Sequence, residues 1–187
     1  QWAREKSISI QNESLPFDYL LIASGALDNN SYQDANDVMG LSPFMKHSGS
    51  EILSQFLAKP GTDAPISVVG GGATGIQFLF EIEHFLRYHK YKNKLRLIDS
   101  GNQVLKQFPD RFADYIQTLM ANLNIEYYPT TYFRGQQHGQ IRLENKKTND
   151  QFELPSSLAF LFSGKSQSIL LKTNAFGQLI VGQQVLQ

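Results

Sequence analysis

One stretch decides the fold: Ile66-Ser67-Val68-Val69-Gly70-Gly71-Gly72-Ala73-Thr74-Gly75. It is a short apolar strand that runs directly into G-x-G-x-x-G, and a long amphipathic segment of helical periodicity follows. Glycine serves a different purpose at each place. Gly70 allows a tight turn off the strand, Gly72 lets a pyrophosphate approach the backbone, and Gly75 lets the helix pack closely on the strand.

The start of the predicted helix completes an anion site. Its free N–H groups and the positive end of its dipole would face the phosphates of a dinucleotide. We therefore expect binding along the whole turn, which comprises Gly70, Gly71, Gly72, Ala73, Thr74 and Gly75. A turn without a ligand, or a site for adenosyl-methionine, is the alternative that the same glycines allow.

An acidic residue supplies the second half of the fingerprint. The next strand, residues 94–98, ends at Asp99, 24 residues after Gly75, where a carboxylate can accept hydrogen bonds from a ribose 2′-OH. Asp99 and Ser100 are both candidate cofactor-binding residues. A glycine follows them, so no adjacent cation would offset the repulsion of a 2′-phosphate by Asp99, and we expect NADH over NADPH. Arg96, expected on the face of Asp99, is the one nearby residue that could change this preference.

Composition excludes several function classes. The 17 basic and 17 acidic residues cancel, so no electrostatic footprint for nucleic acid is visible. The absence of cysteine excludes disulfides and thiolate metal sites, and the four histidines are too scattered to predict a metal or a catalytic centre. No apolar stretch is long enough for a membrane helix, which favours a soluble, cytoplasmic segment without membrane contact.

The order of periodicities predicts an α/β fold. A β-α-β-α-β unit over 66–128 indicates a Rossmann-like, doubly wound parallel sheet with helices on both faces. Period-two alternation at 131–134, 140–144 and 151–154 predicts an antiparallel β-meander. The wholly apolar run 158–162 is typical of a central strand that is buried on both faces.

Three segments carry a family resemblance. Residues 16–26 (PFDYLLIASGA), 68–76 (VVGGGATGI) and 176–181 (FGQLIV) resemble, in the expected order, segments of the pyridine nucleotide–disulfide oxidoreductases. The similarity is greatest to type II NADH dehydrogenase-like enzymes. It implies that residues 1–60 are a flavin-side strand remnant, loop and linker helix, and that 61–187 form the NAD(H)-binding domain.

The resemblance also implies a function. The full-length protein would pass hydride from NADH to FAD and electrons on to an acceptor such as a quinone. The flavin-binding segments of the family are not found in this chain, so FAD would be held only by the full-length protein and its FAD-binding domain. We expect this chain alone to bind NADH, to be catalytically inactive, and to self-associate, as a homodimer, through exposed apolar surface. The parent could be peripheral at the inner face of a membrane.

Further site residues come from the resemblance alone. It implies that Ser163 and Gly164 pass the nicotinamide ribose, and a strand end with a turn is the plain alternative. Gln77 stands where the family carries a glutamate near the nicotinamide, and could equally be a surface residue. This neutral amide also fits the second function that we consider, a non-catalytic dinucleotide sensor or interaction module.

Overall fold

The computed structural model describes residues 7–10, 13–19, 21, 26–28, 37–46, 49–59, 63–162, 164–167, 180–181 and 184–185. The chain divides into two compact units, one of residues 1–27 with 167–187 and one of residues 28–166. Four helices and fourteen strands are described in these ranges. In chain order they are β1 (Ser7–Ile10), β2 (Glu13–Pro16), β3 (Ala26–Asp28), β4 (Val38–Gly40), α1 (Leu41–Lys46), α2 (Gly49–Leu57), β5 (Ile66–Val69), α3 (Ala73–Tyr88), β6 (Leu95–Ile98), α4 (Asp110–Asn122), β7 (Glu126–Tyr128), β8 (Thr131–Gln137), β9 (Gln140–Asn145), β10 (Gln151–Pro155), β11 (Leu158–Leu161), β12 (Lys165–Gln167), β13 (Ile180–Val181) and β14 (Gln184–Val185).

The smaller unit contains two short antiparallel pairs. β1 pairs with β2, so that Ser7 lies opposite Pro16. β13 pairs with β14, and Ile180 lies opposite Val185. The apolar pattern of residues 20–23 predicts a buried strand. Of these residues only Leu21 is described, and it is exposed and lies outside any strand.

A five-stranded parallel sheet organises the larger unit, in the order β4-β11-β5-β6-β7. Val69 of β5 lies opposite both Leu161 of β11 and Ile98 of β6, so the carboxyl ends of these strands meet at one edge. All four residues of β11 are buried. The α/β fold class and the central position of the 158–162 strand are therefore confirmed.

The two faces of this sheet are covered differently. Alternate residues such as Val68, Leu97 and Phe160 pack against α2, α3 and α4 in one core. The intervening residues, such as Ile98 and Leu161, pack in a second core against the antiparallel sheet of β8, β9 and β10. The expectation of helices on both faces is thus corrected for the described part of the chain, where the predicted meander takes the place of the second helix layer.

Crossover handedness explains this arrangement. The connections from β4 to β5, β5 to β6 and β6 to β7 all advance in one direction along the sheet and run through helices. The connection from β7 back to β11 moves in the opposite direction. Because parallel crossovers keep one hand, the returning connection has to pass over the opposite face, and β8, β9 and β10 lie in it.

The division into units follows from this packing. Leu53 and Leu57 of α2 are buried in the core with β5 and α3, and β4 is hydrogen-bonded to β11. The segment 37–59 therefore packs with the parallel sheet, although it lies before the boundary that we predict at residue 60. That boundary divides flavin-side residues from nucleotide-side residues by role, and it remains a prediction.

Gly75 tests the close packing of α3 on β5. Alanine in place of a helical glycine normally stabilises a protein by about 1 kcal/mol. Here a Cβ on Gly75 would collide with the backbone carbonyl oxygen of Gly70. We therefore expect Gly75→Ala to lower the free energy of unfolding by about 1–3 kcal/mol, as overpacking does, measured by denaturant unfolding.

Gly72→Ala is the matched control for this experiment. Its Cβ would meet nothing within 4 Å, and its backbone has φ −74° and ψ 175°, which any residue adopts. We expect its unfolding midpoint to stay close to that of the unmodified chain. Equal losses in both variants would contradict the assignment of the effect to helix–strand packing.

Candidate functional site

A cleft of about 330 Å³ opens at the carboxyl edge of the parallel sheet. Open α/β sheets bind ligands in the crevice outside the carboxyl ends of their strands. Eleven residues line the cleft: Val69, Gly70, Gly71, Gly72, Asp99, Ser100, Thr131, Tyr132, Phe133, Leu161 and Phe162. The structure thus brings together five predicted residues, namely Gly70, Gly71, Gly72, Asp99 and Ser100.

Gly70 forms the sharp turn between β5 and the helix. Its φ is +113°, and a Cβ there would collide with the carbonyl oxygen of Phe162. Its N–H donates to the carbonyl oxygen of Ile98 at 2.8 Å. Any other L-residue would be strained in this conformation and would also push β11 away.

The N-terminus of α3 is open to the outside. Gly72 occupies the N-cap position, and no side chain caps the first turn, which also contains no acidic residue. Gly72, Ala73 and Thr74 are exposed, whereas Gly75 is buried against the strand. The first N–H groups of the helix therefore have room for an anion, which is the arrangement that binds phosphate at helix N-termini.

The Asp99 carboxylate is fixed beside the glycine turn. Its Oδ1 accepts a hydrogen bond from the Gly101 N–H at 3.1 Å. Its Oδ2 lies so close to Gly71 that a Cβ there would collide with it. Glycine at position 71 therefore makes room for the acid, a role that the sequence reasoning did not give to it.

The antiparallel sheet supplies one wall of the cleft. The Thr131 N–H donates to the Asp99 carbonyl oxygen at 2.9 Å, and the Thr130 N–H donates to that of Gly101 at 2.7 Å. These bonds hold the first residues of β8, including Tyr132 and Phe133, at the edge where Asp99 lies. The sequence analysis did not predict Tyr132 and Phe133 at this site. The short distance in the chain from the end of β7 to the start of β8 could have indicated that the first residues of β8 lie at the same edge.

Some predicted residues lie apart from the cleft. Gln77 is exposed on α3 and does not line it. Gly164 is exposed with φ +95° and does not line it either. Ser163 lies outside the described residues. For Gln77, Ser163 and Gly164 a role in binding remains a prediction.

Arg96 does not share the face of Asp99. The two are three positions apart, and odd separations along a strand place side chains on opposite faces. Arg96 is 3% exposed, and its guanidinium donates to Glu126 at 2.9 Å and to the Pro155 carbonyl oxygen at 3.1 Å. The expectation that Arg96 lies on the face of Asp99 is therefore wrong. Its guanidinium is bound to Glu126 and Pro155 on the opposite face of the strand.

A different cation lies near Asp99. Lys146, in the turn between β9 and β10, places its ammonium nitrogen 3.4 Å from the Ser100 carbonyl oxygen, 46 positions away in the chain. The same nitrogen lies 5.4 Å from the centre of the Tyr132 ring. No local sequence pattern brings Lys146 to this edge, because the register of the antiparallel sheet decides its position.

The described residues contain neither a metal-binding cluster nor a membrane-spanning helix. In that part of the chain, no three His, Cys, Asp or Glu side chains are grouped so as to hold a metal ion. Within the same ranges, none of the helices is both long and apolar enough to cross a bilayer.

A comparison with known protein families identifies the family of this chain. The model of the pyridine nucleotide-disulphide oxidoreductase family matches residues 2–183. The chain belongs to this family. No curated protein matches the chain significantly.

Solved structures of this fold resemble the chain over most of its length. NDH2 from Plasmodium falciparum in complex with NADH is 22% identical, with a TM-score of 0.65, and the match covers 86% of this chain and 38% of that one. Sulfide:quinone oxidoreductase from Aquifex aeolicus is 16% identical, with a TM-score of 0.66, over 86% and 39%. Reduced CoADR-RHD from Bacillus anthracis is 19% identical, with a TM-score of 0.61, over 93% and 32%. At these identities the likeness shows the fold, and the chain spans less than two-fifths of each protein.

Substitution of Arg96 tests whether this residue affects the choice between NADH and NADPH. Arg96→Met removes the ion pair with Glu126, measured at 2.8 Å, and leaves the Pro155 carbonyl oxygen without its donor. We expect the free energy of unfolding to fall by about 1–3 kcal/mol, the cost of unsatisfied polar groups. The ratio of NADH to NADPH affinity should stay unchanged. A changed ratio would mean that Arg96 does contribute to recognition of the adenosine ribose.

The phenol of Tyr127 reports on the charge at Asp99. Burial raises the pKa of Tyr127 to about 12, and the charge of Asp99 acts in the same direction. Its hydroxyl is buried without a hydrogen-bond partner among the described residues. The folded chain holds the phenol proton of Tyr127 more tightly than the unfolded chain does. The contribution of Tyr127 to the free energy of unfolding is therefore fully present below the ordinary pKa of 10.0 and is lost as the pH rises towards 12.

A spectrophotometric tyrosine titration measures this effect. We expect one late phenolate transition near pH 12, which disappears in Tyr127→Phe and moves to lower pH in Asp99→Asn. The transition should stay above the ordinary value in Asp99→Asn, because burial is the larger cause. No change in Asp99→Asn would mean that the carboxylate and the phenol do not interact.

Proposed function

We propose that this chain is the NAD(H)-binding part of a flavoprotein oxidoreductase in which hydride passes from NADH to FAD. Family membership supports an oxidoreductase role. The observation that carries the proposal is the cleft in which the glycine turn, the start of α3 and Asp99 meet. The NADH complex of the similar NDH2 fold supports the choice of ligand.

The pyrophosphate of NADH would bind at the glycine turn. Ala73 and Thr74 present N–H groups of the first helical turn, and the open space beside Gly72 admits phosphate oxygens to the backbone. The absence of an acidic residue from this turn avoids repulsion. Main-chain groups would therefore supply this part of the binding.

The adenosine ribose would bind at Asp99. The Gly101 N–H occupies Oδ1, which holds the carboxylate in one orientation while the group still lines the cleft with Ser100. A carboxylate in this place accepts hydrogen bonds from ribose hydroxyls and repels a 2′-phosphate. Asp99 would thereby favour NADH.

The nicotinamide end would extend towards Ser163, Gly164 and Gln77, as the family resemblance implies. When bound, the nicotinamide and the flavin supply the redox chemistry. This chain would supply orientation, holding the nicotinamide ring against a flavin that the FAD-binding domain of the full-length protein carries. No acid or base of the cleft is assigned a catalytic role.

Gln77 supports a second candidate, a non-catalytic dinucleotide sensor or interaction module. It is a neutral, exposed side chain where the family resemblance leads us to expect a glutamate near the nicotinamide. Such a module would bind NADH with the same residues and pass no electrons. Turnover of NADH by the full-length protein distinguishes the two functions, and its electron acceptor, such as a quinone, would be identified in the same assay.

Calorimetric titration of the 187-residue chain with NADH, NADPH and adenosyl-methionine tests the shared binding step. We expect NADH to bind and adenosyl-methionine not to bind. Asp99→Ala should weaken NADH at least tenfold, about 1.4 kcal/mol, by removing the ribose acceptor. Gly72→Ala should weaken it similarly, because its methyl group enters the space proposed for the pyrophosphate.

Asp114→Ala is the matched control, since this exposed aspartate lies on α4 and does not line the cleft. We expect its NADH affinity to equal that of the unmodified chain. If Asp99→Ala and Asp114→Ala weaken NADH binding equally, the effect of Asp99→Ala would come from the change in net charge and not from a lost contact with the ribose. Binding of none of the three ligands to the folded chain would contradict the proposal for this chain as isolated.

A further inference from the structure

Two opposite charges contact the same peptide group at the proposed ribose end. The N–H of the Ser100–Gly101 peptide donates to Asp99 Oδ1 at 3.1 Å, and the carbonyl oxygen of that peptide accepts from the Lys146 ammonium at 3.4 Å. The carboxylate and the ammonium are thus held on opposite sides of one peptide group. Lys146 does not itself line the cleft, but its ammonium lies one peptide group away from the acid that is proposed to bind the ribose.

The surroundings of Lys146 leave its charge available. Lys146 is exposed and forms no ion pair with an acid in the described part of the chain. Arg134, the other cation over the Tyr132 ring, pairs instead with Glu144 at 2.8 Å. A carbonyl oxygen is a weak partner for an ammonium group, and a phosphate would be a stronger one.

We propose that Lys146 is a specificity-determining residue that lets the ribose end accept a 2′-phosphate, so that the chain binds NADPH nearly as well as NADH. The proposal rests on the proposed function, since it assumes that the adenosine ribose lies at Asp99. The flexible stem of the lysine lets its ammonium move from the Ser100 carbonyl oxygen towards a 2′-phosphate across that peptide group. Attraction by Lys146 then offsets repulsion by Asp99.

This assignment changes the specificity that the sequence predicts. A strong preference for NADH follows from Asp99 only if no cation lies near it, and Lys146 is such a cation. We therefore expect the unmodified chain to prefer NADH over NADPH by less than tenfold. The affinity for NADPH should also fall more steeply with salt than that for NADH, because it includes one further charge pair.

Titration of Lys146→Met with both nucleotides tests the proposal. We expect NADPH to bind about tenfold more weakly and NADH to change less than twofold. Lys147→Met is the matched control, since it removes an equal charge from the same exposed turn, where the backbone N–H of Lys147 donates to Asn145 Oδ1. In this control both affinities should change less than twofold.

The outcomes separate this inference from the proposed function. If Lys146→Met weakens both nucleotides by the same factor, or neither, while NADH still binds the unmodified chain, Lys146 does not determine specificity and the inference fails alone. Equal effects of the Lys146 and Lys147 changes would attribute the result to net charge and would also overturn it. If NADH does not bind the folded, unmodified chain, the proposed function fails and the inference fails with it.

Discussion

The structure depends on how closely three elements approach Gly70. Its N–H is bound to β6, its Cα faces the carbonyl oxygen of Phe162 after β11, and its own carbonyl oxygen lies against Gly75 of α3. The approach of the Phe162 carbonyl oxygen excludes a side chain at Gly70, and that of the Gly70 carbonyl oxygen excludes one at Gly75. A single turn therefore fixes the spacing of two strands and the position of the helix that starts beside them, and the cleft is the space left above it.

The second layer of the fold follows from the direction of the chain. Once the helices advance along one face, the return to β11 has to pass over the other face, and the antiparallel sheet fills it. This layer does more than cover the core. Hydrogen bonds from Thr130 and Thr131 attach its first strand to Gly101 and Asp99, so the ends of β6 and β8 form one wall of the site. A domain of this type therefore builds its binding edge from both layers.

The sequence predicted the parts of the site whose function depends on the backbone. Glycine at positions 70 and 75 is required locally by a turn and a close contact, and Asp99 is found by counting along the next strand, so a single sequence suffices for each. Lys146 reaches the peptide beside Asp99 only through the register of β8 and β9, which no local pattern encodes. Arg96 shows the opposite failure. Its charge and its closeness in the chain favoured a role at the ribose, yet strand alternation turned it towards Glu126.

These differences imply a division of labour within the site. Phosphate recognition at the start of α3, as proposed, would use main-chain groups and open space, and so would not depend on the chemistry of a side chain. In the proposed function, discrimination at the ribose end would use side chains on two different layers, Asp99 beside the parallel sheet and Lys146 in a turn of the antiparallel sheet. The turn between β9 and β10 is exposed and lies outside both cores, so its residues can change without altering the glycine turn. Because Asp99 and Lys146 contact the same peptide group, substitution in that turn can alter the charge at the ribose end while the fold and the phosphate site stay the same.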